Sequence, residues 1–225
     1  MLEYVKKQIL KILPDKLYLK RVYSKIYGEK LDFHSPNTFD AKLQWLKIYD
    51  RNPLYEVKKY VAAIIGEEYI IPTIGVWNAF AEIDFDKLPK QFVLKCTHDS
   101  GGMIICKDRS KLNILETRKK LEKCLKNNFY WQSREWPYKN VKKRIIAEKF
   151  MSDNESSSGL TDYKFYCFNG EPKFLYVSQG LEDHATAHIS FLNMDWTFAP
   201  YERSDFRPLT VLPKKPETFD EMRRI

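Results

Sequence analysis

Apolar positions recur at helical spacing over the first fifty residues. Leu2, Val5, Ile9, Leu10, Ile12 and Leu13 fall among Lys6, Lys7 and Lys11 in the rhythm of an amphipathic helix. Pro14-Asp15 interrupts the pattern, which resumes from Leu17 to Ile26. A further helix is predicted from Phe39 to Tyr49, with Asn37 or Thr38 as its cap. Lys58 to Ile65 predicts another, stopped by Gly66.

Beyond Gly66 the period shortens towards two. Tyr69–Pro72, Ile74–Trp77, Gln91–Lys95, Met103–Cys106 and Arg144–Phe150 read as strands, the last one apolar enough to expect burial on both faces. Between them Ser110 is the expected cap of a helix carrying Ile114, Leu115, Leu121, Cys124 and Leu125 on one side. Residues 152–159 read as a polar, mobile loop. Asn169-Gly170 then joins two β-rich runs, Asp162–Phe168 and Glu171–Ser178. That dipeptide predicts a type I′ hairpin, because both central residues need positive φ. His188–Trp196 predicts one more strand. Pro216-Glu217-Thr218 opens a closing helix, with Thr218 and Glu221 spaced as a capping box.

The order of elements therefore predicts an α+β fold with antiparallel hairpins. Three regions follow: an N-terminal helical one at 1–50, a first lobe at 51–150 and a second lobe at 151–225.

Composition narrows the classes. The chain is 44% hydrophobic and 15% aromatic, which excludes a disordered or low-complexity polymer. No apolar run reaches the length of a membrane span, and the start lacks a secretory h-region. The expected location is the cytoplasm, with a basic amphipathic opening suited to resting on an anionic membrane surface. Lys+Arg 38 against Asp+Glu 30 leaves a net charge of +8, which suits phosphate-bearing partners. No helix-turn-helix, RRM or zinc pattern points to nucleic acid. Cys96, Cys106, Cys124 and Cys167 show no metal spacing and are expected as reduced thiols, three of them buried.

Some segments carry candidate chemistry. Lys95 ends a strand, Ser100-Gly101-Gly102 follows, and a second strand returns. Glycines free backbone N–H groups to wrap an anion, and lysine supplies charge; an ordinary hairpin loop has the same composition. Glu148, followed by Lys149-Phe150-Met151, ends an apolar strand, where a carboxylate is costly unless paired or exposed. Asp162 and Lys164 alternate with Tyr163 and Phe165, so the first pair shares one sheet face and the second pair the other. Other constellations carry less. Asp84-Phe85-Asp86 has the acidic pattern of metal-dependent glycosyltransferases but reads as a loop. His184 and His188 read as loop histidines, and His98-Asp99-Ser100 lacks the geometry of a triad. The aromatic run from Phe129 to Tyr138 reads as a packed loop.

Taken in order, these segments resemble the ATP-grasp family, and most closely its TupA-like branch. The resemblance rests on Lys59-Tyr60-Val61, Ile65–Pro72, Phe92–Lys95, Ile145–Phe150, Asp162–Gly170 and Asp195-Trp196, and also on Asp50–Leu54 and Leu88-Pro89. It implies a fold that clamps ATP between two α+β lobes and activates a carboxylate for attack by an amine. It implies that Lys59 and Lys95 contact phosphates and that Ser100, Gly101 and Gly102 cover them. Glu148, Lys149 and Met151 would hold adenine, Asp162 the ribose, and Lys164 phosphate or substrate. It further implies ATP and Mg²⁺ as cofactors, a carbohydrate or amino-acid acceptor, and a role in capsular or exopolysaccharide biosynthesis. A nucleotide-sugar glycosyltransferase, with Asp84 and Asp86 on a metal, is the first alternative; a truncated, non-catalytic ATP-binding relative is the second.

The chain departs from the family pattern at three places. Lys58 stands where the family has Asp, and Ala63 where it has Arg. The later strands whose acids hold Mg²⁺ have no counterpart after Asp195-Trp196, so the chain is expected to end inside its fold. No catalytic residue and no metal ligand is assigned.

Overall fold

A computed structural model of the chain describes residues 11–50, 57–152, 160–181 and 185–225. The expected basic helix at 1–10, the segment 51–56, the serine-rich loop at 153–159 and His184 lie outside them. Two compact units appear, Met1–Phe150 and Met151–Ile225.

The first unit begins with α1 (Asp15–Tyr27) and α2 (Phe39–Tyr49). Thr38 caps α2 by accepting from the Ala41 N–H at 3.1 Å. The two helices and the turn between them enclose their own cluster of Leu19, Tyr23, Leu31, Phe33, Ala41 and Ile48. Helix α3 (Val57–Ile65) ends at Gly66, which takes φ 108°. Tyr69–Pro72 is not the expected strand. Glu67–Tyr69 closes a 3-10 turn instead, and the strand β1 starts after the proline, at Thr73–Trp77.

β1, β2 (Phe92–Cys96), β3 (Ile104–Cys106) and β4 (Ile145–Lys149) form an antiparallel sheet in the order β1-β4-β2-β3. Side-chain alternation splits it into two faces. Phe92, Leu94, Cys96, Ile145 and Ala147 point into a core with Phe80, Leu88 and Leu121. Helix α4 (Ile114–Lys126) covers that face. Its cap is Asn113, whose side chain accepts from the Glu116 N–H; Ser110 lies in a separate 3-10 turn upstream. The opposite face carries Val93, Lys95, Ile146 and Glu148. The expected burial of β4 on both faces is therefore only partial: Ile146 is half-buried and Lys149 exposed.

The aromatic run from Phe129 to Tyr138 packs around one residue, Arg134, just after α5 (Tyr130–Ser133). Arg134 is fully buried. It pairs with Asp15 of α1 at 3.2 Å, donates to the Leu13 carbonyl, and lies over the rings of Tyr18, Tyr130 and Trp131. Tyr130 donates to the same Asp15 at 2.6 Å. This network fastens α1 to the aromatic segment.

In the second unit β5 (Asp162–Phe168), β6 (Glu171–Gln179) and β7 (His188–Asn193) form an antiparallel meander. Asn169 and Gly170 both take positive φ, 51° and 79°, as the hairpin requires. One face buries Leu175, Val177 and Leu192 with Trp196 and Phe219, the latter from α6 (Phe219–Arg224). Thr218 precedes α6 but makes no side-chain capping bond, so the expected capping box does not form. No helix among the described residues is long and apolar enough to cross a membrane.

Removing a fully buried guanidinium leaves a cavity between the rings of Tyr18, Tyr130 and Trp131 and takes the donor from the Leu13 carbonyl, a loss of about 3 kcal/mol. Arg134→Ala is expected to lower the unfolding free energy by that amount in urea titration; a change within about 0.5 kcal/mol would contradict the role given to it.

Candidate functional site

The open face of the first sheet is built by register. Val93 lies opposite Glu148 and Lys95 opposite Ile146, so Lys95 and Glu148 are diagonal neighbours on one face. Thr73 of β1 flanks Glu148 from the other side. Glu148 has a side chain only 5% exposed, and a carboxylate so placed must be paired. Two lysines meet it. Lys95 Nζ lies 2.6 Å from Oε2, and Lys58 Nζ lies 2.6 Å from Oε1.

The lysine that reaches Glu148 from α3 is thus Lys58, the neighbour of the Lys59 that the resemblance assigns to phosphate. Lys59 is exposed on the same helix. Adjacent helical positions point about 100° apart, so helix α3 turns only one of the two towards the sheet. Lys58 is further held by the Ile71 carbonyl at 2.6 Å and by Thr73 Oγ1 at 3.0 Å. Burial pushes the Glu148 carboxyl up, but Lys58 and Lys95 together outweigh it and hold the group below its ordinary range.

The loop after Lys95 is shaped by close packing. Gly101 takes φ +85° with open space around its α-carbon, a conformation that favours glycine. At Gly102 a Cβ would sit 2.3 Å from the Cys124 sulfur of α4, so this glycine lets the loop lie against the helix. Ser100 and Gly101 are exposed. His98 is no triad member. It is fully buried, Nε2 is 3.2 Å from the Cys124 carbonyl, and burial lowers its pKa. Burial likewise raises the thiols of Cys96 and Cys124, to about 12 and about 11. These residues anchor the loop.

Lys149 and Phe150, next along from Glu148, line a cleft of about 460 Å³ with Pro72, Ile74, Pro89, Lys90 and Gln91. Met151 follows and is partly exposed.

In the second unit Asp162 and Lys164 stand on one face of β5 and form an ion pair, while Tyr163 and Phe165 pack on the other, as the alternation predicts. Ser178 approaches the same Asp162 carboxylate at 3.4 Å, and Lys164 lies over the Tyr176 ring. Desolvation lowers the pKa of Lys164.

Asp84 and Asp86 belong to a turn. Asp84 accepts from the Asp86 N–H and pairs with Lys87 at 3.0 Å, while Arg109 ties down the carbonyls of Phe85, Asp86 and Leu88. Asp84 is occupied in holding the chain, which does not suit it to a metal. Among the described residues no group of three or more His, Cys, Asp or Glu side chains is placed to hold a metal ion. The donors among the described residues therefore do not by themselves make up a Mg²⁺ site.

Two outcomes follow from this geometry. Gly102→Ala is expected to destabilise the protein by about 1–3 kcal/mol through overpacking, with Cys124→Ala in the same chain recovering part of it; an unchanged melting temperature would contradict the contact. A carboxyl held below its ordinary pKa contributes stability above pH about 4.5, and that contribution is lost as pH falls through its folded value. Glu148→Gln should therefore flatten the loss of stability on acidification below pH about 4.5, read by urea unfolding at stepped pH; a slope identical to wild type would count against the paired carboxylate.

No curated protein and no solved structure matches the chain. Residues 41–205, most of the sequence and the larger part of each unit described above, match the family described as TupA-like ATPgrasp. With that match spanning the strand-end Lys95, the buried Glu148 and the Asp162–Lys164 strand, the chain belongs to the TupA-like ATP-grasp family.

Proposed function

We propose that the chain binds ATP and serves an ATP-dependent carboxylate–amine ligation in the synthesis of a cell-surface polysaccharide. Family membership supports an ATP-binding, ligase-type role. The single observation that carries the nucleotide reading is the cationic pair Lys58 and Lys95 around Glu148 on the open face of the first sheet.

The roles divide by chemistry. Lys95, at the strand end and 40% exposed, is the cation best placed to meet phosphate oxygens through charge-assisted hydrogen bonds. Its neighbours Ser100, Gly101 and Gly102 offer backbone N–H groups on an exposed loop. Lys149, Phe150 and Met151 lead along a largely apolar cleft, suited to a flat base. Asp162 is the acceptor for ribose hydroxyls, and Lys164 the partner of a further anion. Bound ATP would supply an activated phosphoryl group for the substrate carboxylate. The chain's own contribution is positioning and charge stabilisation, which account for most of catalysis in phosphoryl transfer. Lys59, exposed beside Lys58 on α3, is assigned no more than an outlying role. The acceptor is a carbohydrate or amino acid.

Isothermal titration with ATP tests this reading. Wild type should bind, and Lys95→Gln should weaken binding by about tenfold or more, the worth of one charge-assisted bond. A wild type that shows no heat with ATP, or a Lys95→Gln protein that binds equally well, would contradict it. A preference for a UDP-sugar over ATP would favour the glycosyltransferase alternative.

A further inference from the structure

The two lysines on Glu148 are not equivalent. Lys58 Nζ has three protein partners: the carboxylate, the Ile71 carbonyl and the Thr73 hydroxyl. Two hydrogen bonds and an ion pair thus hold this ammonium in place. Lys95 Nζ pairs with Glu148 and is the more exposed of the two, at 40% against 34%. Lys58 comes from α3, outside the sheet, whereas Lys95 is the next-to-last residue of β2, the strand that leads into the glycine loop.

This asymmetry has an electrostatic consequence. A cation that leaves a buried carboxylate must leave another behind, or the carboxylate takes up a proton. Among the described residues, the charged groups set against Glu148 are Lys58 from α3 and Lys95 from β2; β1 contributes the Thr73 hydroxyl. If both lysines turned to an incoming phosphate, Glu148 would stay buried without a counterion. If only Lys95 does, Lys58 keeps it ionised.

We propose that Lys58 is the fixed counterion of Glu148, and that by holding this charge it frees Lys95 to turn to the phosphates of a bound nucleotide. Lys58 is a positioning residue that acts through Glu148 and Lys95, without itself touching the ligand. The assignment rests on the nucleotide reading above.

Titration calorimetry with ATP from pH 6 to pH 9 tests it on wild type, Lys58→Gln, Lys58→Arg, the Lys58→Gln/Glu148→Gln double variant, and Lys95→Gln with and without Glu148→Gln. Lys58→Gln should bind about tenfold or more weakly, with affinity recovering towards low pH as Glu148 takes up a proton. The double variant should regain most of the affinity and lose that pH dependence, and Lys58→Arg should bind nearly as wild type. Lys95→Gln should stay weak whether or not Glu148 is neutralised. A Lys58→Gln protein that binds as wild type does, or that is equally weak at every pH and is not rescued by Glu148→Gln, would overturn the proposal. Since the rescue restores binding in a chain that still lacks Lys58, misfolding cannot imitate it. Absence of ATP binding by wild type is a separate result, which removes the nucleotide reading and this assignment with it.

Discussion

A carboxylate removed from water on the face of a sheet must find cations, and Glu148 finds two. That demand organises the first unit. It requires α3 to lie where Lys58 reaches across β1, and it requires β2 to run beside β4 in the register that sets Lys95 diagonal to Glu148. The price in desolvation is met by two short ion pairs and by their hydrogen-bonded surroundings. What results is a fixed cluster of charge on an otherwise apolar face, with a glycine loop at one side and a cleft lined by Lys149 and Phe150 adjoining it.

The rest of the unit keeps that face in place. The opposite side of the sheet is a closed core around Phe92, Leu94 and Ile145, covered by α4. The same helix supplies Cys124, whose sulfur packs on Gly102 and whose carbonyl meets His98. The loop after Lys95 is thereby fastened to the core at both of its shoulders, while Ser100 and Gly101 between them stay exposed. Farther away, Arg134 and Asp15 join the N-terminal helices to the aromatic segment without touching this face.

Much of this was legible in the residues. The Asn169-Gly170 hairpin, the alternation of Asp162 and Lys164 with Tyr163 and Phe165, and the strand-end position of Lys95 all follow from local rules that tertiary packing had no cause to override. Ser110 and Asn113 are both acceptable caps; the choice went to Asn113 because Ser110 is held by Asp108 in its own turn. The Tyr69–Pro72 run had β-type residues, but the turn closed by Ile70 and a proline without an N–H keep it from being a strand, Pro72 adding only its carbonyl, which accepts from the Lys149 N–H at 3.0 Å. Lys58, which sequence reasoning passed over, is the lysine of α3 that pairs with Glu148. With lysine at both 58 and 59, only the rotation of α3 about its axis decides which one meets Glu148, and that rotation is set by contacts between elements distant in sequence. The nearest signal was the substitution itself: a lysine where an acid was expected.

Hydrogen–deuterium exchange with and without ATP tests the central claim most directly, because it locates the ligand on the chain. The account predicts added protection in the peptides that span Lys95 to Met103 and Ile145 to Met151, where the loop and the strand carrying Glu148 meet the nucleotide. Unchanged exchange in both segments at saturating ATP would contradict it.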